Sequence, residues 1–299
     1  MTNNLEYYRA LLNLDRELKF SKIDHNEAIV ADVFKVASQG RPCFILKICD
    51  RLNDYTSEVY FLSYFAKQLQ VPAIIKTLPP TQHNRGAILM EYVSGSLIKR
   101  SLITREIAFE IGKSLAIIHS NNTAGFGYLN RDTDLVSVPS KHFNAKFLEA
   151  IAECKNHLPP DLLFKCCHYF EKSLYLLDNV DGPCIIHRDF RPGNIIVANN
   201  RLRGIIDWSS ARAGFAEDDF CSIEYGEWGD FNHHKECFFE GYSSIRKIPD
   251  YHPLMPLLRL NRAVAVIGYT LMRNTWNTTD ARLYQLYRKY VDSFFTNHV

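Results

Sequence analysis

The sequence lacks the cysteine patterns of a zinc ribbon or a disulfide framework. Its 299 residues include eight cysteines, but no two of them are separated by two residues, and the closest pair, Cys166 and Cys167, is adjacent. Cysteines scattered in this way predict reduced thiols.

Long hydrophobic runs and a strong net charge are also absent. The longest apolar stretch, residues 263–272, is far shorter than the ~20 residues that span a bilayer. The first ten residues lack the basic flank and apolar centre of a secretory signal. A net charge of +2 is too small to indicate nucleic acid or a membrane as partner. We therefore expect a cytoplasmic protein, a monomer or weak dimer, that binds neither.

The N-terminal third has the pattern of a small sheet. Two apolar runs, residues 28–36 and 43–48, are separated by a Gly/Pro turn and predict a β-hairpin. A helix with Thr56 as its N-cap follows, and then a strand over residues 87–93.

Helical patterns dominate the rest of the chain. They extend over residues 142–178 and 254–295, while short apolar runs broken by polar loops occupy 184–208. We predict an α+β fold with a small β-rich lobe, residues 1–93, and a larger, mainly helical lobe, residues 94–299. The hinge between them is expected at residues 91–96.

One loop carries the strongest chemical signal. The sequence IIHRDFRPGNIIV ends at Val197, and GIIDW follows at residues 204–208. Asp189 and Asn194 face one small volume from the two ends of a tight loop, and Asp207 follows the next apolar run. Oxygen donors of this kind suit Mg²⁺, and a further carboxylate can accept a proton from a hydroxyl. Phosphoryl transfer needs this combination of groups.

These motifs resemble the aminoglycoside phosphotransferase and choline kinase family. The family's H-x-D-x-x-P-x-N loop matches residues 187–194, its I-D-W motif matches 206–208, and residues 214–220 keep the Gly and last Asp of a third motif. The resemblance implies a two-lobed, protein-kinase-like fold. By position, Asp189 resembles the catalytic base, Asn194 and Asp207 resemble Mg²⁺ ligands, and His187 and Arg188 resemble residues that brace the loop.

The N-terminal part contains residues of the kinds that hold a nucleotide in kinases. Lys47 lies in an apolar strand, as a phosphate-binding lysine would, and Glu58 on the next helix is its natural ion-pair partner. An edge-strand lysine is the structural alternative. Residues 88–95 resemble the hinge between kinase lobes, where the backbone near Glu91 and Val93 would read adenine.

Two apolar side chains are candidates for sandwiching the purine. They are Ile45 and Ile196, one in each lobe, and core packing is the alternative for both. The segment where a glycine-rich phosphate loop is expected, residues 21–28, contains no glycine. This departure from the family pattern puts nucleotide affinity in question.

An acidic cluster after the metal motif is the candidate acceptor site. Its assigned residues are Glu217, Asp218, Glu224, Glu227, Trp228 and Asp230. The carboxylates would attract a cationic acceptor such as an aminoglycoside, although they also fit a solvated helix face. Trp228 could instead stack on a quaternary ammonium group or belong to the core.

The sequence therefore predicts a Mg²⁺-dependent enzyme that transfers the γ-phosphate of ATP, or of GTP, to a hydroxyl of a small molecule. An aminoglycoside-like cation is the preferred acceptor. A choline, sugar or amino-alcohol kinase remains open. So does a protein kinase, which Arg188 and Arg191 favour, and a pseudokinase acting as a binding module, which the glycine-free loop favours.

Overall fold

A computed structural model describes residues 5–23, 31–129, 135–225, 228 and 234–297 of the chain. These residues form an antiparallel sheet followed by a mainly helical part, so the predicted α+β class is confirmed. None of the helices in these ranges is both long enough and apolar enough to cross a membrane. All eight cysteines lie in the described ranges and are free thiols.

The N-terminal part is a five-stranded antiparallel sheet in the order β1-β2-β3-β5-β4. Its strands are β1 (Lys19–Lys22), β2 (Ala31–Ser38), β3 (Arg41–Cys49), β4 (Ile74–Leu78) and β5 (Gly86–Glu91). The predicted hairpin is confirmed as β2 and β3. Its turn residues, Gln39 and Gly40, both have positive φ (47° and 77°), as a tight turn between twisted strands requires. The last strand ends at Glu91, two residues earlier than predicted.

Two helices accompany this sheet, α1 (Leu5–Leu11) and α2 (Leu52–Phe65). The prediction that Thr56 caps α2 is wrong, because the helix begins four residues earlier and Arg51 occupies the N-cap position. The Thr56 hydroxyl instead donates to the Leu52 carbonyl at 3.0 Å, within the helix. An N-cap side chain needs an extended backbone before the first turn, and Thr56 is already helical.

The rest of the described chain is mainly helical. Its α-helices are α3 (Arg105–His119), α4 (Pro139–Cys154), α5 (Pro160–Ser173), α6 (Ala216–Tyr225), α7 (Lys235–Ser243), α8 (Met255–Met272) and α9 (Ala281–Asn297). The pattern predicted over residues 142–178 is divided between α4 and α5 by the Pro159–Pro160 pair. Proline removes a backbone donor and suits the first turn of a helix, so α5 begins there.

Two small sheets position the loops that carry the motifs. One contains β6 (Ser96–Leu97), β8 (Ile195–Ala198) and β9 (Arg201–Ile205), and the other pairs β7 (Cys184–Ile186) with β10 (Arg212–Gly214). The H-x-D-x4-N loop therefore joins β7 to β8, and the I-D-W motif follows β9 directly.

The main hydrophobic core joins the two parts of the chain. Phe61 and Phe65 of α2 stack against Trp208, with ring centroids 6.1 and 4.8 Å apart. Trp208 is fully buried and its indole N–H donates to the Ile205 carbonyl at 3.1 Å. This contact fixes the residue after Asp207 against the helix that carries Glu58. The division at residues 93 and 94, with its hinge at 91–96, stays a prediction.

Candidate active site

The loop after β7 holds Asp189 through one of its two carboxylate oxygens. The Asn194 side-chain amide donates to Asp189 Oδ2 at 2.7 Å and to its backbone carbonyl at 2.8 Å. Arg191 Nε donates to the same Oδ2 at 3.0 Å. Within the described ranges no group hydrogen-bonds Asp189 Oδ1. The carboxylate is therefore oriented from one side, and its other oxygen is available to a hydroxyl.

A buried ion-pair chain connects the sheet to this loop region. Lys47 Nζ donates to Glu58 Oε2 and to Asp207 Oδ1, both at 2.8 Å. The structure thus contains the predicted Lys47–Glu58 pair and adds a second partner. Burial alone would lower the pKa of Lys47, but the carboxylates of Asp207 and Glu58 raise it above its usual value. The ammonium group therefore stays charged at neutral pH.

Asp207 stays ionised as well. Burial would raise its pKa, but the Lys47 ammonium and a hydrogen bond from Ser209 Oγ (2.9 Å) lower the pKa to about 2. Its backbone has a positive φ of 63°, which is uncommon for a residue other than glycine. The preceding residue, Ile206, donates its amide to the Asn194 carbonyl at 3.0 Å. Asn194 and Asp207 therefore lie on two backbone segments that are joined by a hydrogen bond.

These two residues fit a magnesium ion. Asn194 is buried, and because its Nδ2 is bound to Asp189, its amide oxygen points away from that carboxylate. Asp207 supplies an ionised carboxylate whose Oδ2 has no hydrogen-bond partner in the described part of the chain. No group of three or more His, Cys, Asp or Glu residues there could hold a metal. One carboxylate and one amide suit Mg²⁺, which takes its other ligands from phosphate and water.

A buried carboxylate that was not assigned from the sequence braces the loop. Asp219 of α6 accepts the backbone amides of His187 (2.8 Å) and Arg188 (2.6 Å), and it lies 3.0 Å from His119 Nε2. Burial would raise the pKa of Asp219, but the hydrogen bond and charge of His119 lower it. In the sequence, Asp219 is the last Asp of the third motif, but its role becomes visible only in the packed structure.

His187 itself lies inside the protein. Its ring is fully buried and packs on Trp208, with centroids 4.5 Å apart, and edge-on to Phe190. Burial lowers the pKa of His187, so the imidazole is neutral at physiological pH. This environment suits a bracing side chain more than one that meets substrate.

The structure gives different information on each of the residues assigned to adenine binding. The amide of Glu91 donates to the Ala73 carbonyl at 2.9 Å, so only the Glu91 carbonyl could read the base, and this assignment stays a prediction. Val93 keeps its assignment as a prediction. Ile45 in β3 and Ile196 in β8 are half-buried apolar side chains, and their contact with a purine stays a prediction too.

A model of the phosphotransferase enzyme family, APH, matches residues 26–232, more than half of the chain. The chain belongs to this family. The match includes both motifs and the Lys47–Glu58 pair, so the resemblance inferred from the motifs is confirmed. The comparison with curated proteins gives no match.

Solved aminoglycoside phosphotransferases share the fold. A thermostable mutant of APH(4)-Ia, in a ternary complex with AMP-PNP and hygromycin B, is 12% identical with a TM-score of 0.71, and 96% of each chain is covered. APH(2'')-IIa in a streptomycin–ATP complex is 16% identical with a TM-score of 0.65, covering 93% of this chain and 96% of that one. The gentamicin complex of APH(2'')-IIa is 19% identical, with a TM-score of 0.70 and 97% of each chain covered. The protein-kinase-like fold is thereby confirmed.

Two of the residues assigned to the acceptor site lie in the interior of this family member. Glu217 is 2% exposed and accepts the Asp181 amide at 2.9 Å. Trp228 is also 2% exposed, and its indole N–H donates to the Phe190 carbonyl at 2.7 Å. Because both side chains are buried and engaged, we correct the expectation and assign neither to the acceptor.

Two other members of the acidic cluster are ion-paired. Asp218 lies 3.3 Å from Arg188 Nε, and Glu224 lies 2.6 Å from Lys235 Nζ. Their acceptor contacts stay predictions, as do those of Glu227 and Asp230, which lie outside the described residues. Most of the glycine-free segment of residues 21–28, namely residues 24–28, lies outside them as well.

Proposed function

We propose that the chain transfers the γ-phosphate of ATP, or of GTP, to a hydroxyl of a small molecule, and that an aminoglycoside-like cation is the acceptor. The observation that carries the proposal is the Glu58–Lys47–Asp207 chain of charges beside the Asp189 loop. It brings a permanent cation and an ionised carboxylate together where phosphates need neutralising. Family membership supports phosphotransfer. The hygromycin B, streptomycin and gentamicin complexes of the similar structures support the acceptor class.

Each residue has a distinct proposed task. Asp189 orients the acceptor hydroxyl and takes its proton through Oδ1, since Oδ2 is held by Asn194 and Arg191. Lys47, positioned by Glu58, neutralises the phosphates that are not transferred. Asn194 and Asp207 would hold Mg²⁺, which when bound lowers the charge repulsion between nucleotide and nucleophile.

The test is a coupled turnover assay with Mg²⁺ and either ATP or GTP, run against aminoglycosides, choline, sugars and amino alcohols. We expect acceptor-stimulated turnover, and we expect Asp189→Ala to lower kcat at least ~100-fold, the size of a general-base contribution. Nucleotide affinity should change little. The matched control is Asp178→Asn, which removes an exposed carboxylate outside the site.

The other functions give different outcomes in the same assay. Near-normal turnover of Asp189→Ala would remove that residue as the base. Nucleotide binding without stimulation by any compound in the panel would indicate a protein acceptor or one of another class. Absence of both Mg·ATP binding and turnover would indicate a pseudokinase.

A further inference from the structure

Two arginines beside the catalytic loop share a single carboxylate oxygen. Arg188 Nε lies 3.3 Å from Asp218 Oδ2, and Arg212 Nη2 lies 3.9 Å from the same atom. Neither distance comes with a hydrogen bond, and Arg188 Nε is a buried nitrogen without a hydrogen-bond partner in the described ranges. Arg212 also shares a side-chain hydrogen bond with Tyr128. One negative charge therefore serves two guanidinium groups, and Arg188 keeps donors that Asp218 does not use.

The surroundings add positive charge. The Arg212 side chain is 5% exposed, and burial together with the charge of Arg188 lowers its pKa to about 10. Lys146 Nζ lies 5.5 Å from the centroid of the Tyr128 ring, although its charge is partly balanced by Glu149 at 2.8 Å. Burial would raise the pKa of Tyr128, but the charges of Arg212, Lys146 and Arg188 lower it. Nearby positive charge stabilises the phenolate form and so lowers the pKa of a phenol, which indicates an excess of positive charge around this ring.

Two members of this cluster of Arg188, Arg212, Lys146 and Tyr128 can be reached from solvent. The Arg188 and Lys146 side chains are 29% and 31% exposed. A pocket opens beside Arg212, lined in part by Phe126, His142 and Gly214, with an enclosed volume of about 10 Å³. That volume is close to one water. The pocket is therefore too small for an anion. Its lining includes Asp218, whose Oδ2 lies 3.3 Å from Arg188 Nε, so an anion would bind outside the pocket, beside Arg188.

We propose that the Arg188–Arg212 cluster binds a small oxyanion, a phosphate or carboxylate group, through the guanidinium donors that Asp218 leaves unused. Guanidinium groups recognise oxyanions with paired, charge-assisted hydrogen bonds. The occupant fixes the Arg188 side chain directly before Asp189. The inference is independent of the proposed transfer reaction, because anion binding is measured without turnover.

The experiment is calorimetric titration of the nucleotide-free full-length chain with inorganic phosphate, at ionic strength held constant with chloride. We expect saturable binding that weakens at least tenfold in Arg188→Met, a position whose side chain is partly exposed. Two controls are run in parallel. Lys47→Met removes the cation expected to attract phosphate to the nucleotide site, and Arg203→Met removes an exposed arginine of β9.

Binding retained in both controls and lost in Arg188→Met supports the site. Binding lost in Lys47→Met but kept in Arg188→Met would place the anion with the nucleotide and overturn the proposal, as would the absence of saturable binding to the wild-type chain. A second readout is the pH titration of the Tyr128 phenol, followed by phenolate absorbance and assigned by its loss in Tyr128→Phe. Bound phosphate should move the midpoint of this titration to higher pH. An unmoved titration at saturating phosphate would also contradict the site.

The source of the anion is distinguished in a further arm of the experiment. Titration in the presence of the acceptor found by the turnover assay shows whether phosphate and acceptor compete. Competition by an acceptor that carries a phosphate or carboxylate group indicates that the cluster receives that group. Simultaneous binding indicates a separate site for a free anion.

Discussion

Asp219→Asn is the substitution that separates loop positioning from catalysis most cleanly. Asp219 Oδ2 accepts the His187 amide and faces His119 Nε2, while Oδ1 accepts the Arg188 amide at 2.6 Å. An asparagine keeps the shape but has only one acceptor oxygen. If that oxygen keeps the His187 contact, the new NH₂ group faces the Arg188 N–H, and two donors oppose each other.

The size of the effect follows from these contacts. Losing one hydrogen bond to a charged group and leaving a buried amide unpaired should lower the free energy of unfolding by roughly 2–4 kcal/mol. Arg188 directly precedes Asp189, so the conflict displaces the proposed base. A misplacement near 1 Å costs about 100-fold in rate. We therefore expect kcat to fall ~10- to 100-fold in the turnover assay, with the KM for nucleotide nearly unchanged.

The matched control is His119→Gln, which disturbs the same buried carboxylate without touching the two backbone amides. Urea unfolding should show that both variants lose stability, whereas only Asp219→Asn loses most of its kcat. Wild-type kcat in Asp219→Asn, measured well below its unfolding temperature, would refute the positioning role. An equal loss of kcat in both variants would show that the effect is one of stability alone.

Two further predictions concern other buried carboxylates. Burial raises the pKa of Glu217 from 4.5 to about 7, so the wild-type protein loses stability as pH rises through this interval. Glu217→Gln should then be more stable than wild type by roughly 3 kcal/mol at pH 8 and by little at pH 4; equal differences in urea unfolding at both pH values would contradict this. Lys47→Met should weaken Mg·ATP binding at least ~10-fold in calorimetry and leave the buried Glu58 without its cation. The double variant Lys47→Met/Glu58→Gln should recover stability against unfolding but not Mg·ATP affinity. If the double variant is no more stable than Lys47→Met, the Lys47–Glu58 ion pair is not the cause of the lost stability.

The parts of the site that sequence analysis predicted are those set by local geometry. Asp189 and Asn194 are five residues apart in one tight loop, so their contact needs no long-range packing. Lys47 and Glu58 lie on consecutive elements, and a strand followed by a helix that packs on its sheet brings such positions together. The ion pair between Lys47 and Asp207 joins residues that are 160 positions apart, and no local sequence pattern predicts a contact over that separation.

The corrected predictions for the acceptor site concern burial. A count of charges treats every carboxylate of residues 215–240 alike, whereas in the folded chain some of them are buried and others are ion-paired. Glu217 is enclosed by the segment before β7, 36 residues away, and Asp219 turns inward to the loop backbone. Trp228 is held by a backbone carbonyl 38 residues upstream. Which side of a helix faces the core depends on partners that are distant in sequence, so a linear acidic run could not reveal it.

These pairings bear on how the acceptor is chosen. A carboxylate that is paired with a nearby cation exerts little electrostatic attraction on a ligand that is still approaching. Asp218 is balanced by Arg188 and Arg212, and Glu224 by Lys235. A cationic acceptor therefore gains little attraction from them, and the proposal of an aminoglycoside acceptor rests on the ligands of the similar solved structures and not on these side chains. The acceptor panel for turnover should for this reason include neutral and anionic alcohols beside the aminoglycosides, since the charge of the acceptor is the property that the described residues constrain least.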